Sequence, residues 1–118
     1  MVDKLDLMMA KWYFELVSTW RRMAEIVARA AKSLYPGAEV YVVGGAAEGR
    51  LTAVSDVDVV VVLPWEPSPR ERVEAKLSIM REAFRLGLPL DYPVDLHVVG
   101  PRGFERYKIL SRRVVRLA

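Results

Sequence analysis

Val42-Val43-Gly44-Gly45, ten intervening residues, then Asp56-Val57-Asp58 leading into Val59-Val60-Val61-Val62 is the stretch on which the reading of this chain turns. Residues 57–63 are a continuous β-branched and aliphatic run, the pattern of a strand covered on both faces. Two carboxylates at the entrance of such a strand are costly. Side chains alternate along a strand, so Asp56 and Asp58 point to one side, about 6.6 Å apart at about 3.3 Å per residue. Carboxylates that close repel unless a cation lies between them, and hard oxygen ligands favour Mg2+ or Mn2+.

The glycine pair is the second half of the pattern. Gly44 and Gly45 lack Cβ atoms, so a phosphate can approach the backbone, and amides opening a short helix over residues 46–50 can donate to it. Two better-known phosphate loops do not fit. Gly44 and Gly49 have the Walker A glycine spacing, but Arg50 and Leu51 occupy the lysine and hydroxyl positions. The dinucleotide fingerprint fails because its second glycine falls on Ala46. Arg50 is a candidate phosphate clamp, and Ser55 is placed to cap the turn before Asp56.

A third strand over residues 94–99 again carries an acid inside an apolar run, with Asp95 and His97 on one face. If it lies beside residues 57–63, Asp95 joins Asp56 and Asp58 in a three-carboxylate cluster. Two cations held about 3.5 to 4 Å apart in such a cluster can activate an attacking oxygen and stabilise a leaving pyrophosphate. His97 reads as a strand histidine satisfied by its neighbours.

Around these strands the pattern is helical. Residues 6–34 read as one long amphipathic helix, with Trp12, Leu16, Trp20, Met23, Val27, Ala30 and Leu34 on one stripe and Met9, Tyr13, Val17 and Ala24 on a second. Pro36-Gly37 ends it. Residues 40–43 form a first strand. Ser68-Pro69-Arg70-Glu71 opens another helix with an N-cap serine, proline at the first position and a capping-box glutamate. Its expected buried stripe is Val73, Leu77, Met80 and Phe84, ending at Gly87. A helix over 104–111 and an edge strand over 114–117 complete an α/β sandwich.

The chain has 118 residues, 53% hydrophobic, which suits a single domain with a real core and excludes a disordered protein. Its longest apolar tract is too short to span a bilayer and its N-terminus lacks a signal-peptide layout, so a soluble, cytoplasmic protein is expected. Without cysteine there is no disulfide framework and no thiolate chemistry. Asn and Gln are also missing, a depletion of heat-labile residues that points to a hyperthermophile. The net charge of +3 reflects an arginine-rich surface, and no zinc finger, aromatic RNA-binding strand or long basic run supports direct nucleic-acid binding.

Gly44-Gly45, the ten residues that follow, Asp56-Val57-Asp58 and the later Asp95 resemble the Gly-Ser, ten residues, Asp-X-Asp signature of small nucleotidyltransferases of the DNA polymerase β superfamily. Ala47, Gly49 and Ser55 extend the resemblance to the minimal nucleotidyltransferase subgroup, over residues 40–99. It implies a palm-like fold, a small mixed β-sheet flanked by helices. It also implies that Asp56 and Asp58 hold two Mg2+ ions (or Mn2+). Asp95 would ligate the catalytic metal and help deprotonate the acceptor, and Gly44, Gly45, Ser55 and Arg50 would bind the nucleotide. The implied reaction is transfer of a nucleoside monophosphate from an NTP, AMP from ATP foremost, to a hydroxyl of a partner protein or another acceptor. In this subgroup the partner is often a HEPN-domain protein of a toxin–antitoxin pair. The aromatic-rich first helix offers apolar surface for such a partner or for a homodimer. One departure stands out: the family's serine is Gly45 here. A nucleotidyltransferase fold that only binds and masks a partner is therefore the alternative reading.

Overall fold

The computed structural model describes residues 3–50 and 56–118; the side chains of Leu16 and Val17, and with residues 51–55 also Ser55, lie outside the described part. In chain order the elements are α1 (Lys4–Ser18), α2 (Trp20–Leu34), β1 (Glu39–Val43), α3 (Gly44–Ala47), β2 (Val57–Val62), α4 (Pro69–Arg85), β3 (Val94–Val99), α5 (Pro101–Leu110) and β4 (Val115–Arg116). The strands form one mixed sheet in the order β3-β2-β1-β4. β1 runs antiparallel to both β2 and β4, while β2 and β3 are parallel. A parallel pair needs a long crossover, and α4 supplies it.

Strand alternation divides the core. Val40, Val42, Val57, Val59, Val61, Leu96 and Val98 pack with the buried residues of α2 and α4. Val43, Val60 and Val62 pack on the other side with Phe104 of α5. The Phe104 ring stacks on Tyr41 at 4.3 Å between centroids, anchoring α5 to the sheet. Asp58 has the parity of Val60 and Val62, so it belongs to the α5 side, at the end where the strand begins.

The capping box of α4 forms as its sequence predicts. Glu71 N donates to Ser68 Oγ at 3.1 Å and Ser68 N donates to Glu71 Oε1 at 2.9 Å. Three other expectations are corrected. The long first helix is two helices, interrupted at Thr19, whose φ is −87° and ψ 20°. Two hydroxyls bond at the junction: Ser18 Oγ donates to the Glu15 carbonyl at 2.8 Å, and Thr19 hydrogen-bonds the Tyr92 phenol. On α4 the fully buried residues are Ala75, Ile79 and Ala83; of the expected stripe Met80 and Phe84 are half-buried against the core, while Val73 and Leu77 are exposed. Alanines let α4 approach α2, which buries Ala24, Val27, Ala28, Ala30 and Ala31. The last helix starts at Pro101, three residues early, because Gly100 is its N-cap and Pro101 its first turn.

Candidate active site

Strand register brings two acids together. Asp58 on β2 is paired directly with Asp95 on β3, and Val60 with His97 two residues further on. All three polar side chains therefore project from the same side of adjacent strands. His97 Nε2 lies 3.5 Å from Asp58 Oδ1 and 3.3 Å from Asp95 Oδ2. One ligand atom from each of Asp58, Asp95 and His97 falls within 4.8 Å of the others. Two carboxylate oxygens and an imidazole nitrogen so arranged fit a divalent cation with coordination positions left open.

The electrostatics agree with such a role. Burial pushes the Asp58 carboxyl above its ordinary value; hydrogen bonding to His97 and the charge of His97 pull it back, and the charges of Asp95 and Asp56 push it up again. Asp58 is thus a half-buried acid whose ionised form wants a cation nearby. Tyr107 of α5 faces the same group, its ring 5.6 Å from that of His97. Its phenol is raised first by burial and then by the negative charges of Asp58 and Asp95.

Gly44 closes the other side of Asp58. Val43, the last residue of β1, pairs with Asp58, and the chain then turns sharply at Gly44 with φ +70°. A Cβ at Gly44 would lie 2.7 Å from Asp58 Oδ2, so the position demands glycine for conformation and for space. Gly45 is different. Among the described residues a Cβ there would meet only the Arg50 carbonyl group, at an ordinary 3.7 Å. Arg50 N in turn donates to Gly45 O at 2.7 Å, closing the turn.

The remaining expected residues are placed as follows. Asp56 precedes β2 and is exposed; it acts on Asp58 through its charge and stands apart from the tight three-residue group. The Arg50 guanidinium is engaged by Glu48 Oε2 at 2.9 Å. Arg50 also lines a cavity of about 240 Å3 with Glu48, Arg112 and Arg113. Those two arginines carry no motif; they reach the glycine turn because β4, which follows them, pairs with β1. His97, expected as a strand histidine satisfied by its neighbours, has those neighbours in Asp58 and Asp95, and with them it forms the group that could hold a metal. Beside the cluster a cavity of about 280 Å3 is lined by Arg72, Lys76, His97 and Tyr107 among others. A cavity of about 380 Å3 between Tyr41, Phe104 and Lys108 includes none of the cluster residues.

The family model of the nucleotidyltransferase domain matches residues 24–116. The chain belongs to the nucleotidyltransferase domain family. Two solved structures share this nucleotidyltransferase fold. One is a provisionally assigned nucleotidyltransferase from Sulfolobus solfataricus, 21% identical, with a TM-score of 0.59 over 88% of this chain and 84% of that one. The other, also provisionally assigned as a nucleotidyltransferase, is 22% identical, with a TM-score of 0.54 over 78% of this chain and 94% of its own. No curated protein matches the chain. Among the described residues no helix is long and apolar enough to cross a membrane.

Proposed function

We propose that the protein transfers a nucleoside monophosphate, AMP from ATP foremost, to a hydroxyl of a partner protein. The observation that carries this reading is the side-by-side pairing of Asp58 and Asp95, with His97 between their carboxylates and the Gly44 backbone against Asp58. In that arrangement the acceptor oxygen bonds to the α-phosphorus while the bond from it to the β-phosphate oxygen breaks. Pyrophosphate leaves, and the hydroxyl proton passes to a carboxylate, for which Asp95 is the candidate. Asp58, Asp95 and His97, with Asp56 at the entrance, would hold Mg2+ or Mn2+. When bound, the ion supplies Lewis-acid polarisation of the phosphate and neutralises the leaving group. Gly44, Gly45 and Ser55 receive the triphosphate, with Arg50 alongside. Arg112 and Arg113 share its cavity.

We take the acceptor to be a HEPN-domain protein and the pair to be a toxin with its antitoxin, a reading supported by the resemblance of residues 40–99 to minimal nucleotidyltransferases. The test is incubation with each α-labelled NTP, Mg2+ or Mn2+ and the product of the adjacent gene, followed by intact-mass analysis of both proteins. Label on the partner that disappears in Asp58→Asn is the expected result. Wild-type protein that labels nothing would sink the enzymatic reading. One observation favours a second reading, a binding module that masks its partner without turnover: Gly45 holds the place of the serine. In that case Asp56→Ala/Asp58→Ala neutralises the partner as well as wild type does.

A further inference from the structure

Leu5, Met8, Met9 and Trp12 recur on α1 at i, i+3, i+4 and i+7, which makes them one stripe along the helix. They are 65, 59, 56 and 50% exposed. No residue of α1 whose burial is described is buried, and α1 packs extensively on no other element. An isolated helix of 15 residues is marginal in water, so a stripe of this size needs a cover. The opposite side of α1 is no rival, because its large apolar residues, Leu7 and Phe14, are seven positions apart with Ala10 and Lys11 between them.

We propose that the stripe is covered by the same stripe of a second copy, the two α1 helices lying antiparallel about a two-fold axis between Met8 and Met9. Leu5 then faces Trp12 of the partner subunit and Met8 faces Met9 of the partner subunit, each contact occurring twice by symmetry. The flanking charges agree with this direction. Lys4 comes opposite position 13 of the other helix, about 3 Å along the axis from Glu15 of the partner subunit, within reach of a lysine side chain. A parallel pair would instead put the Lys4 and Glu15 flanks of the two copies on opposite sides of the seam, where they cannot pair, and would align the two helix dipoles. The area is sufficient. Burying about half of each large stripe side chain, with the stems of Lys4 and Glu15, covers on the order of 500 Å2 per copy. The total of about 1,000 Å2 reaches what a specific contact needs, at the weak end of the range.

The test uses the full chain, which contains no cysteine of its own. Met9→Cys places two thiols beside the axis and should form a disulfide dimer under mild oxidation. Leu5→Cys leaves its mate about 10 Å away along the axis, beyond disulfide reach, and should stay uncrosslinked. Sedimentation of the wild type should show a concentration-dependent dimer. Lys4→Glu should weaken it about 3- to 10-fold, and Lys4→Glu/Glu15→Lys should restore it. Equal cross-linking at Leu5→Cys and Met9→Cys would overturn the antiparallel register. A wild type that remains monomeric up to about 100 μM would overturn the pairing itself, leaving α1 as a surface for a different protein.

Discussion

A Cβ placed on Gly44 would come within 2.7 Å of Asp58 Oδ2, so the turn that ends β1 and the acid that opens β2 are in direct contact. The contact follows from register, since Val43 pairs with Asp58 and Gly44 is the next residue. It ties the glycine turn to the candidate metal site: a side chain at Gly44 would have to displace the Asp58 carboxylate as well as adopt a positive φ. Gly44→Ala therefore combines two penalties. Gly49 has a similar φ, +72°, but among the described residues nothing lies within 4 Å of where its Cβ would be. Gly49→Ala should lose about 1 kcal/mol from backbone strain alone, and Gly44→Ala at least 1 kcal/mol more, with weakened Mn2+ binding. Denaturant unfolding of both variants, with Mn2+ titration, checks the difference. Equal losses would mean that the contact with Asp58 is not rigid.

Gly45→Ser is the opposite case. Gly45 is not among the positive-φ glycines, and among the described residues its Cβ position is in ordinary contact only with the Arg50 carbonyl. The serine should be accommodated within about 0.5 kcal/mol. If the missing hydroxyl limits turnover, Gly45→Ser raises nucleotidyl transfer about 10-fold or more, the scale of one added charge-assisted hydrogen bond. Steady-state label transfer by the two proteins decides this, and an unchanged rate would show that the backbone suffices.

The raised pKa of Asp58 carries a signed consequence for stability. A carboxyl whose folded value lies above its unfolded value contributes stability that is full below the unfolded value, near 3.8, and is lost as pH rises through the folded one. In metal-free protein, then, ionised Asp58 is a burden at neutral pH. Asp58→Asn should melt higher than wild type in EDTA at pH 7, and the gap should close as the pH is lowered toward 4. Added Mn2+ should reverse the order, because it stabilises only the chain that binds it. Thermal melts at several pH values, with and without Mn2+, report both signs. A variant that melts lower in EDTA would show that Asp58 is a structural residue first.

His97 should contribute to affinity for softer cations. An imidazole nitrogen in the ligand set adds most to a later transition-metal ion such as Co2+, less to Mn2+, and least to Ca2+, which takes oxygen ligands. His97→Asn keeps a polar side chain of similar length but loses the imidazole. We expect Mn2+ affinity to fall about 10-fold and Ca2+ affinity to change little, as measured by competition titration. Equal losses for both ions would assign His97 to orienting Asp58 and Asp95.

The strands and the acidic site were legible in the sequence because their signals are local. A valine run with an acid at its start, or an acid and a histidine two residues apart, keeps its meaning wherever the strand is placed. The side-by-side pairing of Asp58 with Asp95 further needs β2 and β3 to be parallel neighbours in one particular register. What could not be read depends on partners distant in sequence. Arg112 and Arg113 reach the glycine turn only through the pairing of β4 with β1. The break at Thr19 involves Tyr92, more than seventy residues away. That the neighbours satisfying His97 include a carboxylate from each of two strands follows only from the register that brings Asp58 and Asp95 to its Nε2.

The helix faces show the same limit and give the last test. Size alone selects Val73 and Leu77 as core residues of α4, yet they are 58 and 60% exposed, while Ile79 is completely buried between Ala75 and Ala83. The small residues win because they let α4 lie close to α2 and the sheet, where Ile79 fills the space between them. Ile79→Ala removes buried methyl and methylene groups and leaves a cavity, so it should cost about 2 to 5 kcal/mol. Leu77→Ala loses little buried area and trades into a better helix former, so its effect should stay within about 0.5 kcal/mol. Urea unfolding of the two variants separates the faces directly. A large loss for Leu77→Ala, growing with protein concentration, would instead reveal that α4 is covered by a second molecule in solution.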